Sequence, residues 1–527
     1  IYSYKLLNKK ERSRLRKNLI LSFFAGIFEI ISVTTVYPLV SIIVEPELLQ
    51  TNKLINKIWN ISGNPGQNNF VIFLTLSASL VLIASVLLNL ISQVFSTRDA
   101  SSAEERLAKE FYRNLIYSPY KWHLENNPNV IRNTILNDLS IWNKCIIKII
   151  PTLSGQLSGI LLAFITIVFA TPKLGFILFI ISGTSLSILL KLIRKKTNSL
   201  MNDVREKQAT INIFLTESLS GIKDLKLSSN EENFIKIFDS LNHIMIKNFS
   251  SANNWNNLPN YIVILFGQLS ILTLSATLFI SGIKGGELAS IMAIIVLVFS
   301  RTIPLLNKLG SSFNNVSNYS SFIERLSKTI TSIEKEKVEN NNINYNNRKS
   351  EKITWSKITF SSVEFRYPKS PKPILNKLNF EIKKGLHYGL VGSSGAGKST
   401  TIDLLLGLLE PERGKILIDS IKLSDFGIRN WQKKISYVPQ DPLISDLSLR
   451  ENIAFGVPKH LIDDEKIYYC LKQTQLLDVC NSLPKGIYSD LGNKGINLSG
   501  GQKQRVAISR ALYQNNEILV LDEATSS

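Results

Sequence analysis

Cysteine is scarce. Cys145, Cys470 and Cys480 are the only three in 527 residues, and no two of them form a CxxC pair. That spacing excludes a disulfide framework and offers no zinc site, and it fits a reduced, cytosol-facing location. Negative charge is also short: 41 Asp and Glu stand against 61 Lys and Arg, for a formal net charge of +20. In a soluble chain this balance would point to nucleic acid. Here hydrophobic residues make up 44% and gather in long runs. Basic residues flanking membrane spans on the cytoplasmic side give the same balance, so no nucleic-acid partner is expected. An initiating methionine is missing as well. The sequence opens on Ile1 and breaks off soon after "ILVLDE", so it reads as a fragment of a longer protein.

What is present first is apolar length. Six stretches stand out, Leu19–Val44, Phe70–Phe95, Ile146–Ala170, Leu174–Ile193, Tyr261–Ile283 and Leu288–Leu306. Each is about 20 residues or longer, enough for a helix to cross a bilayer's ~30 Å hydrocarbon core. Buried helices of a soluble core would alternate apolar and polar faces, and these mostly do not. The basic "YKLLNKKERSRLRK" before the first stretch puts the N-terminus on the cytoplasmic side. The first stretch is too long for a signal-peptide core, and no small-residue cleavage site follows it. The long segments Ser96–Cys145 and Arg194–Asn260 then face the cytoplasm, while "TPK" and "KGGE" make short outward turns. Both long segments have amphipathic helical spacing interrupted by breakers, Asn127-Pro128 and Ser220-Gly221. Each is expected to run out on one helix, cross, and return on another.

The Asn- and Lys-rich "EKEKVENNNINYNNRKSEK" has almost no large apolar side chains and reads as a solvated linker. From Ile353 short strand-like runs, "ITFSSVEFRY" and "HYGLVG", alternate with helical sequence, the pattern of an α/β domain.

"HYGLVGSSGAGKSTTIDLLLGLL" fits G-x-x-x-x-G-K-[ST] between an apolar strand and an apolar helix, the context a P-loop requires. Gly392, Ser393, Ser394, Gly395, Ala396 and Gly397 would curl backbone N–H groups around phosphate oxygens. The positive end of the following helix, with Lys398, Ser399 and Thr400, would face them. Lys398 supplies charge at the β/γ-phosphates, and the Ser399 hydroxyl is a ligand for Mg²⁺. ATP and Mg²⁺ are therefore the expected cofactors. "EILVLDE" is the second strand such a site needs: Asp522 would serve the metal, directly or through water, and Glu523 would act as general base.

"LSGGQKQRVAISRAL" resembles the signature segment of ATP-binding-cassette (ABC) proteins through Leu498, Ser499, Gly500, Gly501 and Gln502. Read physically, it opens a helix whose N-terminus is a second anion site. The resemblance implies that it completes the ATP site of a partner subunit, two cassettes sandwiching two ATP molecules. It further implies that Tyr367 in "VEFRYP" stacks on adenine and that Gln440 in "ISYVPQDPLI" senses Mg²⁺ and the γ-phosphate. Asn493 and Lys494 depart from the acidic segment usual in exporters, which puts coupling through that stretch in doubt. The family's later aspartate and histidine are not in the sequence, so this fragment by itself is expected to hydrolyse ATP poorly.

Six spans, two long cytoplasmic loops and a cassette resemble an ABC exporter half-transporter. The implied fold is multi-domain, an all-α six-helix transmembrane domain followed by an α/β P-loop NTPase domain. The expected boundaries are 1–333 for the transmembrane domain, 334–352 for the linker and 353–527 for the cassette. Residues near Asn129–Asn137 and Ser218–Ser228 resemble the segments that couple cassette to spans. The implied assembly is a dimer of half-transporters, most simply a homodimer, in the cytoplasmic membrane with its ATPase domain in the cytoplasm. Its partners are membrane lipids and a hydrophobic or lipid-linked substrate.

Substrate is the open question. Glu29, inside the first span, and Arg301, inside the sixth, are costly in a membrane and mark function by default. They form either a structural ion pair or the lining of a cavity for a charged head group. The first span, with its Glu and "VYPLV", resembles lipid-linked oligosaccharide flippases of the ABC exporter type. Lys144, Lys148, Arg301 and Lys308 would attract an anionic head group, or are ordinary snorkelling residues. Export of a peptide, a drug or another lipid is the alternative, as is a non-transporting ATP-gated switch.

Overall fold

A computed structural model describes residues 4, 6–44, 46–47, 49, 53–170, 172–280, 285–341, 354–368, 370–492, 495 and 498–523. The principal helices are α1 (Lys9–Thr34), α2 (Gln67–Ile116), α3 (Tyr120–Glu125), α4 (Ile150–Ala170), α5 (Pro172–Ser220), α6 (Glu231–Ile280), α7 (Gly285–Asn341), α8 (Lys398–Leu405), α9 (Leu449–Ile453), α10 (Asp464–Gln473) and α11 (Gly500–Gln514). The strands are β1 (Lys357–Phe365), β2 (Leu375–Lys383), β3 (Arg413–Ile418), β4 (Ile421–Lys422), β5 (Ile435–Val438) and β6 (Ile518–Leu521). The chain divides into two compact units, Ile1–Ile116 with Asn129–Thr331, and Tyr117–Pro128 with Ser332–Ser527.

The first unit is entirely helical. Among the described residues three helical stretches are long and apolar enough to cross a membrane, Lys9–Val44, Gln67–Ile116 and Pro128–Val168. They carry the first three expected spans. Side chains through most of the fourth expected span and the start of the sixth lie outside the described residues. Helices α5 and α6, of 49 and 50 residues, are each about 75 Å long at 1.5 Å per residue. That is more than twice the ~30 Å hydrocarbon core, so wherever either helix crosses a bilayer a long part of it lies outside.

Small residues let α1 and α4 approach. A Cβ on Gly26 would lie 1.9 Å from the Gly155 carbonyl oxygen, and one on Gly155 would lie 2.6 Å from that of Ser22. A hydroxyl uses the same closeness, Ser158 Oγ donating to the Phe23 carbonyl at 2.8 Å, and α1 meets α2 where the Ser22 and Ser92 hydroxyls lie 2.7 Å apart. Without a hydrophobic drive between helices in lipid, backbone contact and such hydrogen bonds are what hold them.

Where the helices leave the apolar zone, ion pairs take over. Arg106 clasps Glu11 through two bonds of 2.6 and 2.7 Å. The fully buried Asp138 accepts from Arg325 Nε at 2.6 Å and Nη2 at 2.5 Å. Asp138 ends a π-helical turn, Thr134–Asp138. Helices α5 and α6 pack along one another, with Phe214 stacked 5.4 Å from Phe234, and are joined by the short helix Ile222–Ser228, which buries none of its residues.

The part of the helical loop that groups with the second unit is Tyr117–Pro128, not the stretch just downstream at Asn129–Asn137. It is anchored by its aromatics. The Arg429 guanidinium sits 5.0 Å from the Tyr117 ring centroid, and Trp122 Nε1 donates to Ser332 Oγ at 3.3 Å. Helix α7 runs on to Asn341. The rest of the expected linker, from 342, lies outside the described residues.

In the second unit β2-β1-β3-β4 form an antiparallel sheet, and β5 pairs in parallel with β6. Apolar side chains from β1, β2, β3 and α8 share one core with Trp431, whose Nε1 donates to the Leu405 carbonyl at 2.6 Å. A second core gathers α9, α10 and the apolar face of α11. One expectation fails here. "HYGLVG" forms no strand, and Leu390 and Val391 are exposed, Val391 at 96%. Its composition suits a strand, but a strand also needs a neighbour to take its backbone hydrogen bonds. Among the described residues β6 pairs only with β5.

Candidate nucleotide site

The loop before α8 turns on its glycines. Gly395 and Gly397 have φ of +80° and +89°, the left-handed region that favours glycine. A Cβ on Gly397 would also lie 2.7 Å from Leu375 Cδ2. Lys398 opens α8, and its ammonium folds back over the loop, donating to the carbonyls of Gly392 at 2.7 Å and Ser393 at 3.1 Å. Tyr367 reaches the same helix, its hydroxyl 3.3 Å from Thr400 Oγ1.

The β5–β6 pair delivers the acids. The Asp522 N–H donates to the Val438 carbonyl at 3.0 Å, extending the parallel register to the strand's tip. Its carboxylate accepts from Tyr437 Oη at 3.4 Å. Burial, then the neighbouring charges of Asp522 and Asp403, push the Tyr437 phenol up to about 12. Glu523 has φ +48°, uncommon for a non-glycine residue. Its carboxylate accepts from Gln440 Nε2 at 2.6 Å, and its carbonyl from Gln504 Nε2 at 3.2 Å.

Three residues here escaped the sequence reading. Asp403 on α8 has its carboxyl pushed up to about 6 by burial and by the charge of Asp522. Tyr437 bridges to Asp522. Tyr120, from α3, has its phenol raised by burial and by the charges of Asp403 and Tyr367. Asp403 lies beyond the P-loop pattern, and only its charge in the apolar run Ile402–Leu409 could have marked it.

Ser499 is the N-cap of α11 and forms a capping box with Gln502. The Ser499 N–H donates to Gln502 Oε1 at 2.8 Å, and the Gln502 N–H donates to Ser499 Oγ at 3.3 Å, which satisfies two otherwise orphaned donors. Gly500 has open space where a Cβ would stand, and Leu498 is buried. Among the described residues no hydrogen bond joins 498–502 to the loop 392–400. Asn493 and Lys494 lie outside the described residues.

The donor set suits a hard cation. The Ser399 hydroxyl, the Gln440 carboxamide and the Asp522 carboxylate offer oxygen only, the chemistry Mg²⁺ takes. Among the described residues no group of three His, Cys, Asp or Glu could hold a metal. Such an ion would therefore lean on phosphate oxygens and water as well, as Mg²⁺ usually does. In the helical unit Glu29 is half-buried and Arg301 exposed, and no ion pair joins them among the described residues.

A helical membrane region, a P-loop and a helix-opening Ser-Gly-Gly define a membrane-embedded protein with an attached nucleotide-binding domain. Residues 35–303 match the model for the ABC transporter transmembrane region, and residues 375–526 match that for the ABC transporter domain. The chain belongs to the ABC transporter family, with the half-transporter arrangement of one transmembrane region followed by one ATP-binding cassette. It is similar to ABC transporter B family member 29, chloroplastic, of Arabidopsis thaliana, at 30% identity over 351 residues, covering 65% of this chain and 53% of that one. It is similar also to the ATP-dependent lipid A-core flippase of Methylobacillus flagellatus, at 38% over 170 residues, 32% of this chain and 29% of that one. The chain thus spans about half the length, or less, of these curated relatives. Among solved structures, a bacterial Atm1-family ABC exporter with ATP bound superposes with a TM-score of 0.75 at 20% identity, over 99% of this chain and 87% of that one. That likeness establishes the fold: a helical transmembrane domain followed by an ABC ATPase domain.

Proposed function

We propose that this chain is one half of an ATP-driven exporter that flips a lipid-linked oligosaccharide or another glycolipid across the cytoplasmic membrane. Two copies would assemble around one pathway, their cassettes in the cytoplasm. The observation that carries the ATP-driven part of the reading is the convergence of Gln440 on Glu523 at 2.6 Å, beside a P-loop with its lysine in place. A cassette used only as a switch would have no need of that carboxylate.

The residues divide the work. Bound ATP with Mg²⁺ supplies the phosphoanhydride whose cleavage resets the cycle. Lys398 and the N-terminus of α8 hold phosphate charge. Ser399, Asp522 and Gln440 would hold the metal, and Tyr367 offers its ring to adenine. Glu523, released by Gln440, takes the proton of the attacking water. Ser499 at the start of α11 serves the ATP of the second copy. Closure of two such sites favours one arrangement of the helical units over the other, a shift between two states. The segment Tyr117–Pro128, packed with the cassette, and the exposed turn Ile222–Ser228 carry it to the spans. Arg301, exposed in the sixth span, is free of Glu29 and so suits an anionic head group. The flippase among the relatives supports a lipid cargo.

The test is ATP-dependent translocation of a fluorescent lipid-linked oligosaccharide in vesicles, with E523Q as control. Translocation lost in E523Q supports the glycolipid reading. No translocation beside vigorous ATPase refutes it and leaves peptide, drug or other lipid export.

A further inference from the structure

Helix α11 is fastened at two points along its length, once to Glu523 and once to the loop that follows Gln440. Near its start Gln504, 5% exposed, donates to the Glu523 carbonyl at 3.2 Å. Further along, Arg510 donates from Nε to the Asn452 carbonyl and from Nη2 to the Leu443 carbonyl, each at 2.9 Å. Its guanidinium also sits 4.8 Å from the Phe455 ring centroid. Among the described residues no carboxylate pairs with Arg510, and burial lowers its pKa below the ordinary arginine value. A cation held in this way by two backbone carbonyls is costly to keep unless its position matters.

Its position closes a circuit. Leu443 lies on the loop that begins at Gln440. Gln440 donates to the Glu523 carboxylate, and the Glu523 carbonyl accepts from Gln504. Glu523, Gln440, the loop to Leu443, Arg510, α11 and Gln504 therefore form one ring of contacts. At the free end of that helix stands Ser499, whose hydroxyl and backbone form its cap.

We propose that Arg510 and Gln504 are positioning residues that make α11 a lever, so that a move of Gln440 at one ATP site shifts the Ser499 end that serves the other. The proposal rests on the two-site reading above. When Gln440 leaves Glu523, the loop carries the Leu443 carbonyl with it. The planar fork of Arg510 holds that carbonyl and the Asn452 carbonyl in fixed relation, which a lysine point charge does not do. The pull is then passed to the helix instead of being lost in the loop.

The experiment is ATPase rate against ATP concentration for the full-length protein in proteoliposomes, comparing wild type, R510K, Q504M and the double variant. Affinity for a fluorescent ATP analogue is measured alongside. The wild type is expected to be cooperative. Each variant should bring the Hill coefficient towards one and slow hydrolysis roughly 5- to 10-fold, the range of an ordinary coupling, while analogue affinity stays within about twofold of wild type. The double variant should be no worse than the more damaging single one, as expected of residues in one circuit. Slower hydrolysis with the wild-type Hill coefficient, in either variant, overturns the proposal. If R510K fails to fold, Q504M decides alone, since it keeps the length of the buried side chain and removes only its carboxamide. A wild type that hydrolyses without cooperativity, and whose E523Q variant stays monomeric in ATP, refutes the two-site reading itself.

Discussion

The side-chain amide of Gln440 donates a 2.6 Å hydrogen bond to the carboxylate of Glu523, so the group proposed to sense the metal and the group proposed to take a proton occupy each other. Neither can turn to the nucleotide without freeing the other. Glu523→Gln should lower hydrolysis by roughly 10²- to 10⁴-fold, the usual worth of a general base, while ATP still binds and holds two copies closed. Steady-state turnover and the mass of the particle in ATP check this, and near-wild-type turnover would refute the assignment.

Lys398 is already turned over its loop towards the Gly392 and Ser393 carbonyls. Lys398→Ala removes the charge without touching the glycine turns and should abolish ATP-dependent activity. Equilibrium binding of ATP and hydrolysis are the measurements, and normal turnover in this variant would dismiss the loop as the site.

Glu517, at the start of the segment leading into β6, accepts from Lys434 at 2.5 Å, Lys384 at 2.6 Å and Trp355 Nε1 at 3.0 Å. The hydrogen bonds from Lys384 and then Lys434 hold its carboxyl down at about 2. An unfolded glutamate titrates near 4.3. A depressed carboxylate stabilises the fold fully above its unfolded value, and that contribution is lost as pH falls through about 2. The side chain is 38% exposed, so solvent screening keeps its worth to about 1 kcal/mol or less. Glu517→Gln should lower the melting temperature of the cassette at neutral pH, and the gap to wild type should shrink as pH falls from about 4 to about 2. A gap independent of pH would contradict this account of Glu517 and its two lysines.

How far the sequence could be read depends on how local each feature is. The glycine turn into α8, the "ILVLDE" strand and the Ser499 cap lie within single short segments, and each takes the local backbone its residues predict. The long apolar runs likewise announce helices, because length against bilayer thickness is a one-dimensional criterion. "HYGLVG" misleads because a strand is settled by its neighbour, which composition does not reveal. The segment that groups with the cassette, Tyr117–Pro128, lies upstream of the stretch expected from sequence, and it is Tyr117 that meets Arg429 of the cassette, a pairing between residues distant in sequence. Asp403, Gln504 and Arg510 were invisible for the same reason. Their partners, Asp522, Glu523 and Leu443, are distant in sequence.

The α1–α4 seam depends on glycine at one place above all. A Cβ on Gly26 would stand 1.9 Å from the Gly155 oxygen, and backbone cannot yield as a side-chain tip can. Gly26→Val should force the helices apart and cost roughly 1–3 kcal/mol, the range for overpacked cores. Thermal stability in detergent reads this directly, and an unchanged midpoint would show that the helices do not meet there.

The central claim is that Ser499 of one copy closes over the phosphate loop of another when ATP is bound. The most direct measurement is disulfide crosslinking of S499C with S394C in the E523Q background, with and without ATP. Cys145, Cys470 and Cys480 are buried, so background coupling through them should be small. The account predicts a crosslinked species of twice the chain mass that forms with ATP and not without it. Crosslinking that ignores ATP, or none at all while ATP is bound, would contradict it.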